Sequence, residues 1–279
     1  MSEPDRYAVI GHPVGHSRSP FIHERFARQV GHNIDYTTID ATPAQFAPAV
    51  LRFFAEGGKG LNVTLPHKQA AVHLAADLTP RAEHAGAVNT LTPRAEGGLT
   101  GDNTDGLGLT RDLIYNFGVT VAGRRVLLLG AGGAARGALM PLLDLQPREL
   151  TIANRSPARA LELAAEFGQD GEVHGCGFAD LHGAPYDLVI NATSASLANE
   201  VLPLPAGIVG AHTFCYDMAY KAEDTAFVRW AQQRGCTRAV MGLGMLVEQA
   251  AEAFFIWRGI RPETASVLAA LKVELAAEE

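Results

Sequence analysis

The stretch Val126-Leu127-Leu128-Leu129-Gly130-Ala131-Gly132-Gly133-Ala134-Ala135 constrains the fold of this chain more than any other. Four apolar residues without alternation suit a strand buried on both faces, as in a parallel sheet covered by helices on two sides. Gly130 to Ala135 follows GxGxxG/A spacing between that strand and a helical run over 133–145, and in this context the spacing marks a dinucleotide site. Gly130 permits the tight turn, Gly132 lets backbone approach a pyrophosphate, and Ala135 fills the third small position, where helix meets strand. Gly130, Ala131, Gly132, Gly133 and Ala134 are therefore expected to contact the cofactor. Its pyrophosphate would lie over the helix N-terminus, where free N–H groups and the dipole favour an anion. A turn kept only for packing is the competing reading, and the flanking strand and helix weigh against it.

The next strand-like run, Leu150-Thr151-Ile152-Ala153, bears on which dinucleotide binds. An NAD site usually carries Asp or Glu at this strand end, to hold the ribose 2′-hydroxyl. Here Asn154-Arg155-Ser156 follows, with Arg159 one turn further. A carboxylate would repel a 2′-phosphate, whereas a guanidinium offers charge and several donors. NADP is favoured over NAD, with Arg155 as a solvated loop residue the plainer alternative.

The rest of the chain narrows the class of partner. Its 279 residues allow one large or two medium domains. With 23 basic against 30 acidic residues the net charge is −7, and no Lys/Arg cluster offsets it; neither nucleic acid nor an anionic membrane is expected as a partner. No apolar window is long enough for a transmembrane helix, and the start, Met-Ser-Glu-Pro-Asp-Arg, lacks the character of a secretory leader. Cys176, Cys215 and Cys236 lack metal-site spacing, are odd in number, and read as small buried hydrophobes of a reducing cytoplasm. No metal site is expected.

Before the glycine loop, strand-like runs (Tyr7–Ile10, 35–40, 60–64) alternate with helix-like ones (20–29, 43–55), and Pro66 is placed to open the next helix. This alternation implies a parallel or mixed sheet under helices. A Gly-rich segment and a helix near 107–116 follow. Beyond the loop, 157–167 reads as helix, Leu188–Ile190 and Phe214–Asp217 as strands, and 243–277 as two helical runs.

Hydride transfer to a carbonyl also needs a proton donor. None of the ten histidines has a persuasive context; His12 and His16 flank Pro13 and Gly15 in a stretch that reads as a loop. Two polar clusters say more: Asn62-Val63-Thr64-Leu65-Pro66-His67-Lys68 at a strand end, and Gly101-Asp102-Asn103-Thr104-Asp105-Gly106 before the cofactor half. A lysine partly desolvated in a cleft can exchange protons near neutrality, and a nearby carboxylate would hold its position. Taken alone, Lys68 suits a solvated surface residue and Asp105 a helix N-cap, and spacing cannot pair them.

Over nearly its full length the chain resembles the shikimate dehydrogenase family. The matching stretches are Gly11 to Pro20, Asn62 to Lys68, Gly86-Ala87-Val88-Asn89-Thr90, Gly101 to Gly106, Gly130 to Ala135, Asn154-Arg155-Ser156, Asn191-Ala192-Thr193-Ser194, Tyr216 to Tyr220 and Gly242 to Ala250, all in the family's order. The resemblance implies an α/β fold of two domains with a cleft between them. A substrate domain would comprise 1–105 plus 240–279, and a Rossmann-type NADP-binding domain 106–239. It implies NADPH-dependent, reversible reduction of 3-dehydroshikimate to shikimate, in the cytoplasm, on the route to chorismate and the aromatic amino acids. Lys68 would be the acid/base, paired with Asp105. Ser17 and Ser19 would bind the substrate carboxylate, and Thr64, Asn89, Asp105, Tyr220 and Gln249 the hydroxyls or carboxylate. Thr193, Met218 and Gly242 would join Arg155, Arg159, Asn154 and Ser156 around NADP(H). A homodimer is left open.

Departures from the family pattern are Ser156 for threonine, His67 where an aromatic or apolar residue is frequent, and Ser194-Ala195-Ser196-Leu197 without its usual glycine. His67 would either tune Lys68 or pack. Two alternatives stand beside the main reading. One is a quinate/shikimate dehydrogenase using NAD, against which Asn154 and the Ser17/Ser19 pair both lean. The other is a catalytically silent dinucleotide-binding regulator, expected to have lost Lys68 or Asp105.

Overall fold

The computed structural model describes residues 3–221 and 223–277, and the chain divides into two compact units. One holds the residues up to Gly108 and those from Val247 onward, the other Leu109–Leu246.

The first unit is built on a six-stranded mixed sheet: β1 (Asp5–Gly11), β2 (Ile34–Asp40), β3 (Gly60–Val63), β4 (Asp77–Leu78), β5 (Thr90–Pro93) and β6 (Leu99–Asp102), in the order β2-β1-β3-β5-β6-β4. β1 pairs in parallel with β2 and β3, and β4 with β6, while β5 runs antiparallel to both β3 and β6. The alternation of β1 sends Ala8 and Ile10 into a core with Phe46, Val50 and Phe53 of α2 (Pro43–Ala55), while Tyr7 and Val9 face the other layer with Tyr36 and Trp257. That layer includes α1 (Ser19–Val30) and, at the C-terminal end of the chain, α8 (Leu243–Arg258) and α9 (Ala265–Ala276).

Local chemistry sets the helix limits. Pro20 and Pro43 occupy the first turns of α1 and α2, where a missing N–H costs nothing. Thr42 and Gln45 form a capping box on α2, and the Thr79 hydroxyl caps α3 (Pro80–Ala85). Caps of this kind contribute about 1 kcal/mol each.

The second unit has six parallel strands: β7 (Arg125–Leu129), β8 (Glu149–Asn154), β9 (Val173–Gly177), β10 (Leu188–Asn191), β11 (Phe214–Asp217) and β12 (Arg238–Met241). Their order, β12-β11-β10-β7-β8-β9, is the doubly wound Rossmann arrangement, whose direction of winding switches between β7 and β10. The apolar run in β7 is explained directly. Val126 and Leu128 enter a core with α5 (Gly133–Leu143) and α6 (Pro157–Phe167), while Leu127 and Leu129 enter a second core with Phe227 and Trp230 of α7 (Ala226–Gln233).

The structure refines the sequence reading at several places. Pro66 opens no helix: the Leu65–Pro66 peptide is cis, His67 N–H donates to the Thr64 carbonyl at 3.0 Å, and the turn is of the cis-proline type. A short 3₁₀ segment follows only at Ala70–Leu74. The helix near 107–116 is α4 (Asp105–Arg111) continued by a π-helical turn over Asp112–Asn116. The Gly-rich segment includes strand β6, paired along its length with β5. Cys215 and Cys236 are buried and Cys176 is half-buried, all as free thiols.

Candidate active site

In the first unit the connections that carry polar side chains gather at one edge of the sheet. Chain direction explains this: β1, β3, β4 and β6 all end at that edge, and the reversed β5 begins there. The loop after β1 brings Ser17 and Ser19, the turn after β3 brings Thr64 and Lys68, Asn89 precedes β5, and Asp105 follows β6. Ser19, buried at the start of α1, donates its N–H to Ser17 Oγ at 3.3 Å. The Cβ that Gly11 lacks would fall 2.5 Å from the Thr64 methyl, so only glycine lets the serine loop lie against the Thr64 turn.

Lys68 Nζ donates to Asp105 Oδ2 at 2.5 Å, with the two side chains 26% and 15% exposed. Sequence spacing left them unpaired; the fold joins them. Asp105 opens α4 and spends its carboxylate on Lys68 and Asn89, rather than capping the helix, while Asn103 Oδ1 takes the Asp105 N–H at 3.1 Å. Asn89 Nδ2 donates to Thr104 Oγ1 and to Asp105 Oδ1, both at 2.9 Å, and reaches Gln249 Oε1 at 3.4 Å. Lys68, Asn89, Asp105 and Gln249 thus form one connected group. An ammonium held by a carboxylate, beside amide donors and acceptors and at the rim of solvent, can pass a proton to an oxygen placed against it.

The backbone under this group is tied down by its neighbours. Asp102, one residue beyond Gly101 in β6, receives Arg81 in a two-pronged contact (Nε–Oδ1 2.6 Å, Nη2–Oδ2 2.8 Å) and also the Thr79 hydroxyl and the Asn103 N–H, each at 2.7 Å. Burial alone would raise the Asp102 pKa, but the Arg81 guanidinium, with these donors, outweighs it and holds the carboxyl below its ordinary value. Arg81 also bridges to Glu252 on α8 at 3.2 Å.

His67 is buried and takes no part in the proton group. Its ring stacks on Phe46 (centroids 4.5 Å apart) and its Nε2 lies 2.6 Å from the Ala41 carbonyl, which can only accept, so Nε2 bears the hydrogen. Of the two roles open to it, His67 packs. His12 pairs with Asp40 at 2.6 Å near the surface. His23 is fully buried against Tyr36, Phe26, Phe254 and Trp257, and burial drives its pKa down to about 3, so it stays neutral.

The second unit gathers its expected cofactor residues at the C-terminal edge of the parallel sheet. Gly130 has φ +110°, and a Cβ there would sit 3.2 Å from the Ala192 carbonyl oxygen and the Thr193 methyl, so the loops after β7 and β10 meet at the switch point. Gly132 caps α5, and the space its Cβ would fill is open. An exposed, side-chain-free helix start beside Ala131, Gly133 and Ala134 fits a pyrophosphate. Asn154 closes β8 with its amide on the Ser156 carbonyl, and Arg155 and Arg159 are exposed just beyond it. Met218 N–H donates to the Asn191 carbonyl at 2.9 Å, and the Cβ that Gly242 lacks would fall 2.7 Å from the Met218 oxygen, which places Met218 and Gly242 together, while the Thr193 hydroxyl donates to Asn191 Oδ1 at 2.7 Å. Tyr220 belongs to this unit and lies two residues beyond Met218.

Several residues that shape these edges had no assigned role in the sequence reading. Asp217 is buried at the end of β11 and receives the hydroxyls of Ser196 and Thr225, the Asn191 amide and the Ala219 N–H, tying together the loops after β10 and β11. Burial raises its pKa while these donors oppose the rise. Asn62 is similar: an amide within a fully buried strand. The available signal was a lone polar residue in an apolar run, which must find a partner when buried. Among the described residues no group of three or more His, Cys, Asp or Glu could hold a metal, and no helix is long and apolar enough to cross a membrane.

Comparison with known proteins bears on the family of the chain. The family model for the shikimate dehydrogenase substrate binding domain matches residues 9–91, that for shikimate/quinate 5-dehydrogenase matches 114–199, and that for the shikimate 5′-dehydrogenase C-terminal domain matches 242–272. A Methylococcus capsulatus protein named shikimate dehydrogenase (NADP(+)) is 54% identical, over 98% of each chain. Among solved structures, an Ael1 enzyme from Pseudomonas putida is 45% identical with a TM-score of 0.92, covering 97% of this chain and 99% of that one. A shikimate 5-dehydrogenase from Thermus thermophilus, in complex with NADP(H) and shikimate, is 32% identical with a TM-score of 0.82, covering 97% and 99%. With such identity over the whole length, this chain belongs to the shikimate dehydrogenase family.

Proposed function

We propose that this chain is an NADP(H)-dependent shikimate dehydrogenase that interconverts 3-dehydroshikimate and shikimate, with Lys68 as the acid/base and Asp105 as its partner. The observation that carries the reading is the 2.5 Å contact between Lys68 Nζ and Asp105 Oδ2, within a group of amides and hydroxyls suited to a polyhydroxylated ring. The 54%-identical relative bears the name of that enzyme, and the Thermus structure contains NADP(H) and shikimate. Both support the choice of substrate and cofactor.

When bound, NADPH supplies the hydride. As negative charge grows on the substrate oxygen, the Lys68 ammonium donates to it, and Asp105 keeps the ammonium in place and compensates its charge. Positioned proton transfer of this kind contributes about 10²–10⁴-fold in rate. Ser17 and Ser19 are assigned to the substrate carboxylate, and Thr64, Asn89, Asp105, Tyr220 and Gln249 to its polar groups. Gly130 to Ala134 would cradle the pyrophosphate, with Asn154, Arg155, Ser156 and Arg159 around the 2′-phosphate. A cytoplasmic setting belongs to the same proposal, and the three cysteines, all free thiols, suit a reducing compartment.

The test is an absorbance assay for NADPH with shikimate or quinate as substrate and NADP⁺ or NAD⁺ as acceptor. Shikimate with NADP⁺ should be the best pair, and no turnover with that pair would refute the assignment. Lys68→Met should retain the fold and lose turnover by about 10²-fold or more.

A further inference from the structure

Beneath Asn89 lies a set of buried hydroxyls and amides that the proton transfer itself does not touch. The Tyr36 hydroxyl donates to Asn62 Oδ1 at 2.7 Å. Asn62 Nδ2 donates onward to the Asn89 carbonyl and to Thr90 Oγ1, each at 3.2 Å. Thr90 Oγ1 donates to Asn89 Oδ1 at 2.9 Å, and Asn89 Nδ2 donates to Asp105 Oδ1, whose other oxygen takes Lys68. Tyr36, Asn62, Thr90 and Asn89 are all buried, and Thr90 is fully so.

The direction of this chain is forced. A backbone carbonyl and a carboxylate only accept, so the Asn62 and Asn89 amides each have one permitted orientation. Thr90 has a single hydroxyl hydrogen, and Asn89 Oδ1 receives it, which leaves the Thr90 lone pairs to accept from Asn62. Every donor therefore points toward Asp105. A fully satisfied buried network of this kind restricts its members to one arrangement.

We propose that Thr90 is a positioning residue for the reaction. Its hydroxyl is the joint between the Tyr36–Asn62 pair and the Asn89–Asp105 pair, and it holds the Asn89 amide so that the Asp105 carboxylate stays aimed at Lys68. The proposal rests on the reading of Lys68 and Asp105 as the acid/base pair. Thr104 N–H also donates to Asn89 Oδ1, at 2.9 Å, so removal of the Thr90 hydroxyl should loosen Asn89 without releasing it.

Two substitutions separate positioning from packing. Thr90→Val keeps the volume and removes the hydroxyl, whereas Thr90→Ser keeps the hydroxyl and removes a buried methyl. Positioning predicts that Thr90→Val lowers kcat about tenfold, with the shikimate KM changed by no more than about threefold, while Thr90→Ser stays near wild type. Packing predicts the reverse order. Tyr36→Phe, which keeps the ring stacked on His23 at 4.3 Å, should lower kcat less than Thr90→Val, and the double variant should be no worse than Thr90→Val alone, because the side-chain link from Asn62 to the Asn89 amide is already cut and Asn62 then reaches Asn89 through its backbone carbonyl. Wild-type kcat in Thr90→Val, a larger loss in Thr90→Ser, or additive effects in the double variant would each overturn the proposal. If Lys68→Met abolishes turnover while Thr90→Val does not change it, positioning fails and the acid/base reading stands; if Lys68→Met stays active, both fall. Should Thr90→Val fail to fold, Thr90→Ser and Tyr36→Phe decide: kcat near wild type in the first with a loss in the second supports positioning, and the opposite pattern refutes it.

Discussion

Arg81→Met removes the cation that holds down the strand end from which Asp105 is delivered. In the native chain Arg81 meets both oxygens of Asp102, at 2.6 and 2.8 Å, and Glu252 at 3.2 Å, with the arginine side chain 30% exposed and each carboxylate 9%. After substitution Asp102 keeps only the Thr79 hydroxyl and the Asn103 N–H, and Glu252 keeps its contact with Arg261. Stranding a buried carboxylate costs about 3–5 kcal/mol. Arg81 is nearly one-third exposed, so solvent shares in the screening and the low end, about 3 kcal/mol, applies. The sign with pH follows from the two pKa directions. Native Asp102 is depressed, so its contribution is present above the unfolded carboxyl pKa of about 3.9 and is lost as pH falls through the folded value. In the variant burial is unopposed by the guanidinium and the pKa rises, so acid neutralises the stranded charge. The deficit is therefore full at pH 7 and closes as pH falls toward about 4. The chain has two tryptophans, Trp257 in the first unit and Trp230 in the second, so urea unfolding followed by Trp257 fluorescence in a Trp230→Phe background reports the first unit alone. A deficit below about 1 kcal/mol at pH 7, or one that does not change between pH 7 and 4.5, would refute the reasoning.

Other expectations can be checked individually. Arg155→Ala should raise the KM for NADPH about 10–100-fold and leave that for NADH nearly unchanged, as loss of a charge-assisted contact to phosphate requires; steady-state kinetics with both cofactors decide it. Asp217→Asn puts an amide hydrogen among four donors and should raise the NADP⁺ KM about tenfold, with little effect on that for shikimate. Gly244→Ala would place a Cβ 2.0 Å from Asp112 Oδ1, a carboxylate whose other oxygen takes the Tyr216 hydroxyl; a loss of about 1–3 kcal/mol should appear in urea unfolding followed by Trp230.

How much of this was legible in the sequence depended on whether an element's signal was local. The β7–loop–α5 unit was readable because its three requirements, two-sided burial, a positive φ and a small cap, each select residue types within ten positions. The Lys68–Asp105 pair was not, since 37 residues separate its members and only the β3-β5-β6 order brings them together. Strand β6, Leu-Thr-Gly-Asp, was hidden among glycines because its stability comes from pairing with β5 rather than from its own propensity. The turn at Pro66 misled for a related reason: proline suits both a helix start and a cis turn, and tertiary contacts decide between them. Asn62 and Thr90 lay within recognised motifs, yet their hydrogen-bond directions follow only from the β3–β5 register.

The reversed strand β5 divides the labour of the first sheet between its two ends. One end collects the serine loop, the Lys68 turn, Asn89 and Asp105, while the β5–β6 hairpin turns at the other through Arg94–Gly98, where residues 95–98 are exposed. For protein engineering the molecule thus has a working end and a handle. A tag, a tether to a surface or a fused domain inserted at 95–98 would meet only a solvent-facing turn, whereas a one-residue slip in the Asn62–Thr90 pairing, without any insertion, would turn the amides away from the chemistry.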